Sequence, residues 1–300
     1  MADDETPDAT IPEFGVELGP IAYGCGRLAG ESLDSPRDRI EAALAAGMTL
    51  IDCADIDGYP DPGFGATEEL LGSVLAEAPK LRDRMIIATK GGVFPAVPYD
   101  SSADHLRQAC DASLNRLGVD VIDLYQVHRP DLLAHPAEVA EVLTDLRAAG
   151  KIREVGVSNH NPTQTRALQS FLDFPIVATQ FEFNPLHLRP LGDGSFDLCM
   201  EYGMVSMAWS PLAAGRLSAT PTAKKPAAVA HVCDRIAVEQ GVTRAAVLLA
   251  WVMHHPAGVI PIIGTRQVDR IDDCARASEV GLSRQQWYEI LVAARGEPMP

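Results

Sequence analysis

Short apolar runs alternate with amphipathic stretches along most of this chain. Eight of the runs read as buried strands: Ile21–Tyr23, Thr49–Ile51, Met85–Thr89, Val121–Val127, Ile152–Val157, Ile176–Thr179, Val205–Ala208 and Val259–Ile263. Most are rich in Ile, Val and Leu without strict alternation, the pattern of strands covered on both faces. Helical spacing fills the intervals at Thr67–Glu77, Asp104–Leu117, Ala137–Ala149, Thr163–Leu172, Ser195–Tyr202, Ala227–Gln240 and Val268–Ala277. An earlier helix opens at Ser35-Pro36, serine as N-cap and proline in the first turn, and closes at Gly47. Thr243–His254 and Ser283–Ala294 read as additional helices. Glycines 118, 150, 203 and 241 stand where left-handed C-caps fall. This alternation predicts an α/β protein, a (β/α)8 TIM barrel over residues 13–300. An open doubly wound sheet with a second domain fits the pattern alone as well. Residues 1–12 are acidic and poor in large apolar groups, and are expected to be a disordered tail.

Composition narrows the function classes. A net charge of −16 argues against a general nucleic-acid binder, which needs a cationic face. It leaves room for a local basic pocket. The cysteines stand at 25, 53, 110, 199, 233 and 274, without metal-knuckle or C-x-x-C spacing, as expected for reduced thiols in a cytoplasmic protein. The N-terminus lacks a basic region followed by an apolar one, and no run approaches ~18 apolar residues, so neither a signal peptide nor a membrane span is expected. His254-His255 reads as a helix-end pair rather than a metal site, and no metal is expected. The stretch Gly24–Gly30 imitates a dinucleotide fingerprint, but its spacing is one residue too long and no helix begins in it. It reads as the loop after the first strand. Oligomeric state is not legible in the sequence.

In a barrel, chemistry gathers where strands end. The apolar runs end in Asp52, Lys90, His128, Ser158-Asn159, Gln180, Trp209-Ser210 and Gly264-Thr265-Arg266. A polar residue after one strand is ordinary. Asp, Lys and His at successive strand ends predict a shared mouth, where an Asp–Lys pair can tune a neighbouring proton donor.

The ordered set Ile51-Asp52-Cys53-Ala54-Asp55-Ile56, Ala88-Thr89-Lys90-Gly91-Gly92, Asp123 to Asp131 around His128, Gly150 to Asn159, and Pro261-Ile262-Ile263-Gly264 resembles the aldo-keto reductase family, over roughly residues 15–295. The resemblance implies hydride transfer from NADPH to a small aldehyde or ketone, with a tyrosine as proton donor. Lys90 would tune that donor, Asp52 would hold Lys90, and His128 would polarise the carbonyl oxygen. Ser158, Asn159 and Gln180 would hold the nicotinamide carboxamide, with Trp209 stacked on the ring. Ser210, Leu212, Gly215 and Arg216 would lie along the pyrophosphate. Gly264, Thr265 and Arg266 would hold the adenosine 2′-phosphate, and Arg270 and Asp273 would meet the adenine end. Arginine at that phosphate implies NADPH rather than NADH. Tyr23, Phe64, Phe94, Arg129 and Phe181 are expected to wall the substrate pocket.

One position departs from the family pattern Asp-x-Ala-x-x-Tyr-Gly. Here it reads Asp52-Cys53-Ala54-Asp55-Ile56-Asp57-Gly58, with Asp57 in place of the tyrosine. Three readings stay open. The chain is a reductase without its acid, because an aspartate of ordinary pKa ~4 beside Lys90 stays ionised. Or Tyr59 takes over from within a loop of glycine and proline. Or Asp57 itself works as acid or base. Two further function classes follow: a catalytically silent NADPH-binding regulatory barrel, and a redox-neutral lyase or hydrolase using Asp57 and His128.

Overall fold

A computed structural model describes residues 14–29, 34–218 and 220–300. The tail expected at residues 1–12 lies outside the described residues. Eight parallel strands close into a barrel: β1 (Ala22–Gly24), β2 (Leu50–Asp52), β3 (Ile86–Gly91), β4 (Ile122–Val127), β5 (Ile152–Ser158), β6 (Ile176–Glu182), β7 (Val205–Trp209) and β8 (Ile260–Ile263). Each pairs with the next in sequence, and β8 returns to β1 with Ala22 opposite Ile262 and Tyr23 opposite Ile263. The open-sheet alternative is thereby excluded, and the fold is the (β/α)8 barrel.

Helices α1 (Pro36–Ala45), α2 (Ala66–Glu77), α3 (Ala103–Leu117), α4 (Pro136–Ala148), α5 (Pro162–Gln169) and α6 (Ser195–Tyr202) connect successive strands. Two helices, α7 (Lys224–Gln240) and α8 (Arg244–Met253), separate β7 from β8. After β8 come α9 (Val268–Ala275) and α10 (Arg284–Arg295). Ser35, Asn161 and Ser283 each close a capping box on the residue three further on, which satisfies orphan N–H groups at the helix starts. Gly118, Gly203 and Gly241 are left-handed C-caps.

Burial divides in two, as side chains on a strand alternate between faces. One set, including Ile51, Ile87, Tyr125, Val155 and Val157, points outward and packs under the helices. The other, including Ala22, Leu50, Ile86, Ala88, Leu124, Ala178, Met207 and Ile262, fills the barrel interior, with Phe14 packed among them. Thr49 ties down the segment that carries Phe14: its hydroxyl donates to the Glu17 carbonyl at 2.7 Å and accepts from the Gly19 N–H at 2.9 Å. Near the same end, Asp123 accepts the Ile87 N–H at 2.8 Å and pairs with Arg82 at 2.8 Å. Among the described residues, no single helix is long and apolar enough to cross a membrane.

Several strands run past their sequence-predicted ends, β3 to Gly91 and β6 to Glu182. The apolar run stops at the first polar residue, whereas the backbone ladder continues. Short 3-10 turns at Cys25–Arg27, Pro79–Arg84, Arg189–Leu191, Ala213–Gly215 and Arg276–Glu279 have no counterpart in the sequence reading.

Candidate active site

The same two-residue period that builds the barrel interior puts polar side chains on its last layer. Asp52 follows Leu50 inward, Lys90 follows Ala88, Gln126 follows Leu124, and Gln180 follows Ala178. All four are buried. Lys90 Nζ donates to both Asp52 carboxylate oxygens, at 2.9 and 2.7 Å, and to the Cys53 carbonyl at 2.8 Å. The ammonium's three protons are therefore all engaged. Gln180 Nε2 adds a 3.0 Å bond to Asp52 Oδ1, and Gln126 Nε2 a longer one at 3.4 Å. A buried ion pair without such partners would be costly; here hydrogen bonds hold it in one geometry.

Asp57 lies within electrostatic reach of this pair and lines the same cleft. Its N–H donates to the Ala54 carbonyl at 3.0 Å, closing the turn after β2. Its carboxylate faces the loop after β1 so closely that a Cβ on Gly26 would lie 3.4 Å from Oδ1. With Asp52, Lys90 and His128 it lines one cleft of about 1330 Å³ at the C-terminal ends of the strands. Burial pushes the Asp57 carboxyl up to about 6; Lys90 opposes that shift and Asp52 adds to it. A carboxyl at about 6 is still mostly ionised at pH 7, as expected of an aspartate beside Lys90, but its range lies above the ordinary one: desolvation outweighs the ammonium, whose protons are committed to Asp52 and Cys53. Tyr59 does not line the cleft. It is 54% exposed, with its N–H bonded to the Ile56 carbonyl at 3.0 Å.

His128 continues β4, its N–H donating to the Gly91 carbonyl at 2.9 Å. Burial, then the charges of Lys90 and Arg129, hold its imidazole well below the usual histidine range, so the ring is neutral at pH 7. Its Nδ1 is buried without a partner. A neutral imidazole can donate one hydrogen bond to a carbonyl oxygen.

The cleft runs from these groups along β5–β8. Ser158, Asn159, Gln180, Trp209, Ser210, Leu212, Gly215, Gly264, Thr265, Arg266, Arg270 and Asp273 all line it; Arg216 does not, its Nε donating to the Ala213 carbonyl at 3.0 Å. Asn159 Nδ2 donates to Ser158 Oγ at 2.8 Å, and Trp209 Nε1 donates to Asn159 Oδ1 at 3.0 Å. Asn159 and Ser210 hold left-handed backbone, with φ of 59° and 50°. Such strain at non-glycine residues collects where backbone is shaped around a ligand. Leu212 (φ −99°) is followed by Ala213 and Ala214 at φ 53° and 54°, a tight turn in which the Ala213 N–H donates to the Ser210 carbonyl at 2.8 Å and the Gly215 N–H to the Leu212 carbonyl at 3.1 Å. Polar amide-sized groups, this turn, and Arg266 and Arg270 on one cleft fit a dinucleotide carrying phosphates.

Of the expected pocket walls, Arg129 alone lines the cleft. Tyr23 is buried and its hydroxyl donates to the Thr265 carbonyl at 2.9 Å, fixing the loop after β8. Phe181 packs edge-on against Phe196 in the core. Phe64 lies near Arg116, and Phe94 near His105. His160, next in sequence to Asn159, is buried, its Nδ1 3.0 Å from the Ser158 carbonyl. His255 stacks on Phe196. Arg27, Asp34 and Arg244 line the cleft without having been found from sequence. They come from the loop after β1 and the start of α8, which a search of strand ends passes over.

Behind Asp57 lies a second buried carboxyl. Asp55 is fully enclosed, neither oxygen has a partner, and burial with the charge of Glu68 pushes it up to about 8. Glu68 itself is satisfied by Thr89 Oγ1 at 2.5 Å and by Arg116 at 2.7 Å.

Comparison with known proteins agrees with this geometry. The aldo/keto reductase family model matches residues 20–293. A 6-dehydroglucose reductase of Novosphingobium aromaticivorans is 51% identical, each chain covered in full. A second 6-dehydroglucose reductase, from Agrobacterium fabrum, is 37% identical over 94% of this chain and 96% of its own. An Escherichia coli oxidoreductase is 34% identical over 97% and 98%. The crystal structure of a thermostable aldo-keto reductase in complex with the inhibitor epalrestat superposes with a TM-score of 0.77 at 27% identity, covering 94% of this chain and 98% of that one.

Proposed function

The chain belongs to the aldo/keto reductase family, and on that premise we propose that it reduces a small aldehyde or ketone with NADPH, using Asp57 as its proton donor. The observation that carries this reading is the continuity of one cleft from Asp57, Lys90 and His128 to Arg266 and Arg270. It has room for a substrate carbonyl at one end and a phosphorylated cofactor along the rest. NADPH, when bound, supplies the hydride. Ser158, Asn159 and Gln180 would hold its carboxamide, with Trp209 beside the ring, and the turn from Ser210 through Leu212 to Gly215 would face the pyrophosphate. Gly264, Thr265 and Arg266 would take the 2′-phosphate, and Arg270 and Asp273 the adenine end.

The neutral His128 donates a hydrogen bond to the carbonyl oxygen and withdraws charge from it. The Asp57 carboxylic acid gives its proton to that oxygen as negative charge develops there, and the carboxylate then regains a proton from solvent. Asp52 fixes Lys90, whose charge limits how far burial raises Asp57. With that carboxyl at about 6, about a tenth of the molecules carry the proton at pH 7. The chain is therefore an impaired reductase at neutral pH and a competent one in mild acid. Tyr59 takes no part. The two relatives named for 6-dehydroglucose direct the substrate search first to aldehydes on small polar skeletons.

Cofactor binding and turnover test this separately. Titration followed by NADPH fluorescence is expected to give at least tenfold tighter binding than NADH, the margin that paired guanidinium contacts to a phosphate provide. Aldehyde-dependent NADPH oxidation is then compared between this chain and Asp57→Tyr. Failure to bind NADPH overturns the reading of the whole cleft. Binding without turnover at any pH, with activity only in the tyrosine variant, assigns the chain to the silent class instead.

A further inference from the structure

Within that reductase reading, we propose that Arg129 selects substrates bearing an oxyanion, so that the preferred carbonyl compound carries a carboxylate, phosphate or sulfonate group. Arg129 directly follows His128 and lines the reacting end of the cleft. It lies close enough to His128 for its charge to act on the imidazole. Its guanidinium carbon sits 5.8 Å from the Trp209 ring centroid. A guanidinium over an aromatic face is drawn toward it, and its N–H groups are the planar fork that matches an oxyanion.

No carboxylate among the described residues pairs with Arg129. The contrast with Arg244, also on the cleft, is direct: Arg244 is held in a two-point bond to Asp234 at 2.6 and 2.7 Å. In a chain of net charge −16, a half-buried cation left unmatched beside the reacting groups is a docking point for an anion brought by the substrate. Arg266 and Arg270 come from the segment after β8 and from α9, whereas Arg129 comes from the end of β4 beside His128, and it is Arg129 that is assigned to the substrate.

A matched pair of aldehydes isolates the effect: 4-carboxybenzaldehyde and methyl 4-formylbenzoate differ in the charge and not in the reacting group. This chain is expected to favour the acid over the ester by about 10- to 100-fold in kcat/KM, the range of one charge-assisted contact, mainly through KM. Arg129→Lys, which keeps the charge and loses the fork, retains part of that ratio; Arg129→Gln brings it to about one. Calorimetric titration of each aldehyde into the NADP-loaded protein reads the same preference without turnover. A chain that binds both but reduces neither fails as a reductase while the anion preference is still decided. Equal binding of acid and ester, or a preference unchanged in Arg129→Gln, overturns the proposal.

Discussion

Asp57 and Asp55 sit two residues apart on one turn, and burial acts on both in the same direction. For Asp55 the consequence is a pH-dependent stability. Its carboxyl titrates near 8 in the folded chain and near ~4 when unfolded, so the folded state holds a proton that the unfolded state releases. That stability is complete below about pH 4 and is lost as pH rises through 8. Asp55→Asn keeps the shape and removes the titration. Its melting temperature, relative to the parent chain, is expected to rise steadily between pH 5 and pH 8. A difference independent of pH would contradict a protonated, buried Asp55. At this scale the sequence showed where the family's tyrosine was missing, but not what Asp57 could do. The shift of a carboxyl depends on what encloses it, and Gly26, Lys90 and Asp52 reach Asp57 from three different strands or their loops.

Elements were legible where one local rule governs them. Serine with proline at the next position marked the start of α1, and glycine marked the ends of α3 and α7. Strand ends were less legible, because polarity marks where a side chain points and not where the ladder stops. Lys90 shows this: it lies inside β3, which continues to Gly91. Gly91 is required there by close approach, since a Cβ would meet the Tyr125 hydroxyl at 2.1 Å. Gly91→Ala is expected to cost about 1–3 kcal/mol in urea unfolding, through overpacking beside the Lys90 site. The Tyr125 hydroxyl is buried without a partner, so Tyr125→Phe gives up no bond. Adding it to Gly91→Ala is expected to restore most of the loss. An additive double mutant would show that the clash is relieved elsewhere.

The whole barrel followed from repetition: eight apolar runs separated by helical periods leave few other closed arrangements. The same topology explains why the cleft could be read from strand ends. Parallel strands closed into one barrel bring Asp52, Lys90, His128, Ser158 and Gln180 to one mouth, although they span 128 positions of sequence between Asp52 and Gln180. It also explains the failures. Tyr59 belongs to a turn whose path no periodicity records, and Tyr23 and Phe181 face away from the cleft although they lie on its strands. The interior belongs to every second residue, and a one-residue slip in reading exchanges wall for core. The arrangement that results places an acid of about 6 where a phenol of ~10 stands in the family pattern, so the reaction should carry its pH dependence in that one group.

The pH profile of kcat/KM for aldehyde-dependent NADPH oxidation, from pH 5 to pH 8, tests this most directly. With Asp57 as donor, the rate is highest below pH 6 and falls about tenfold for each further unit above it, and Asp57→Asn loses activity across the range. A rate that stays level through pH 6 to 8, or one that Asp57→Asn retains, would show that the proton comes from another group.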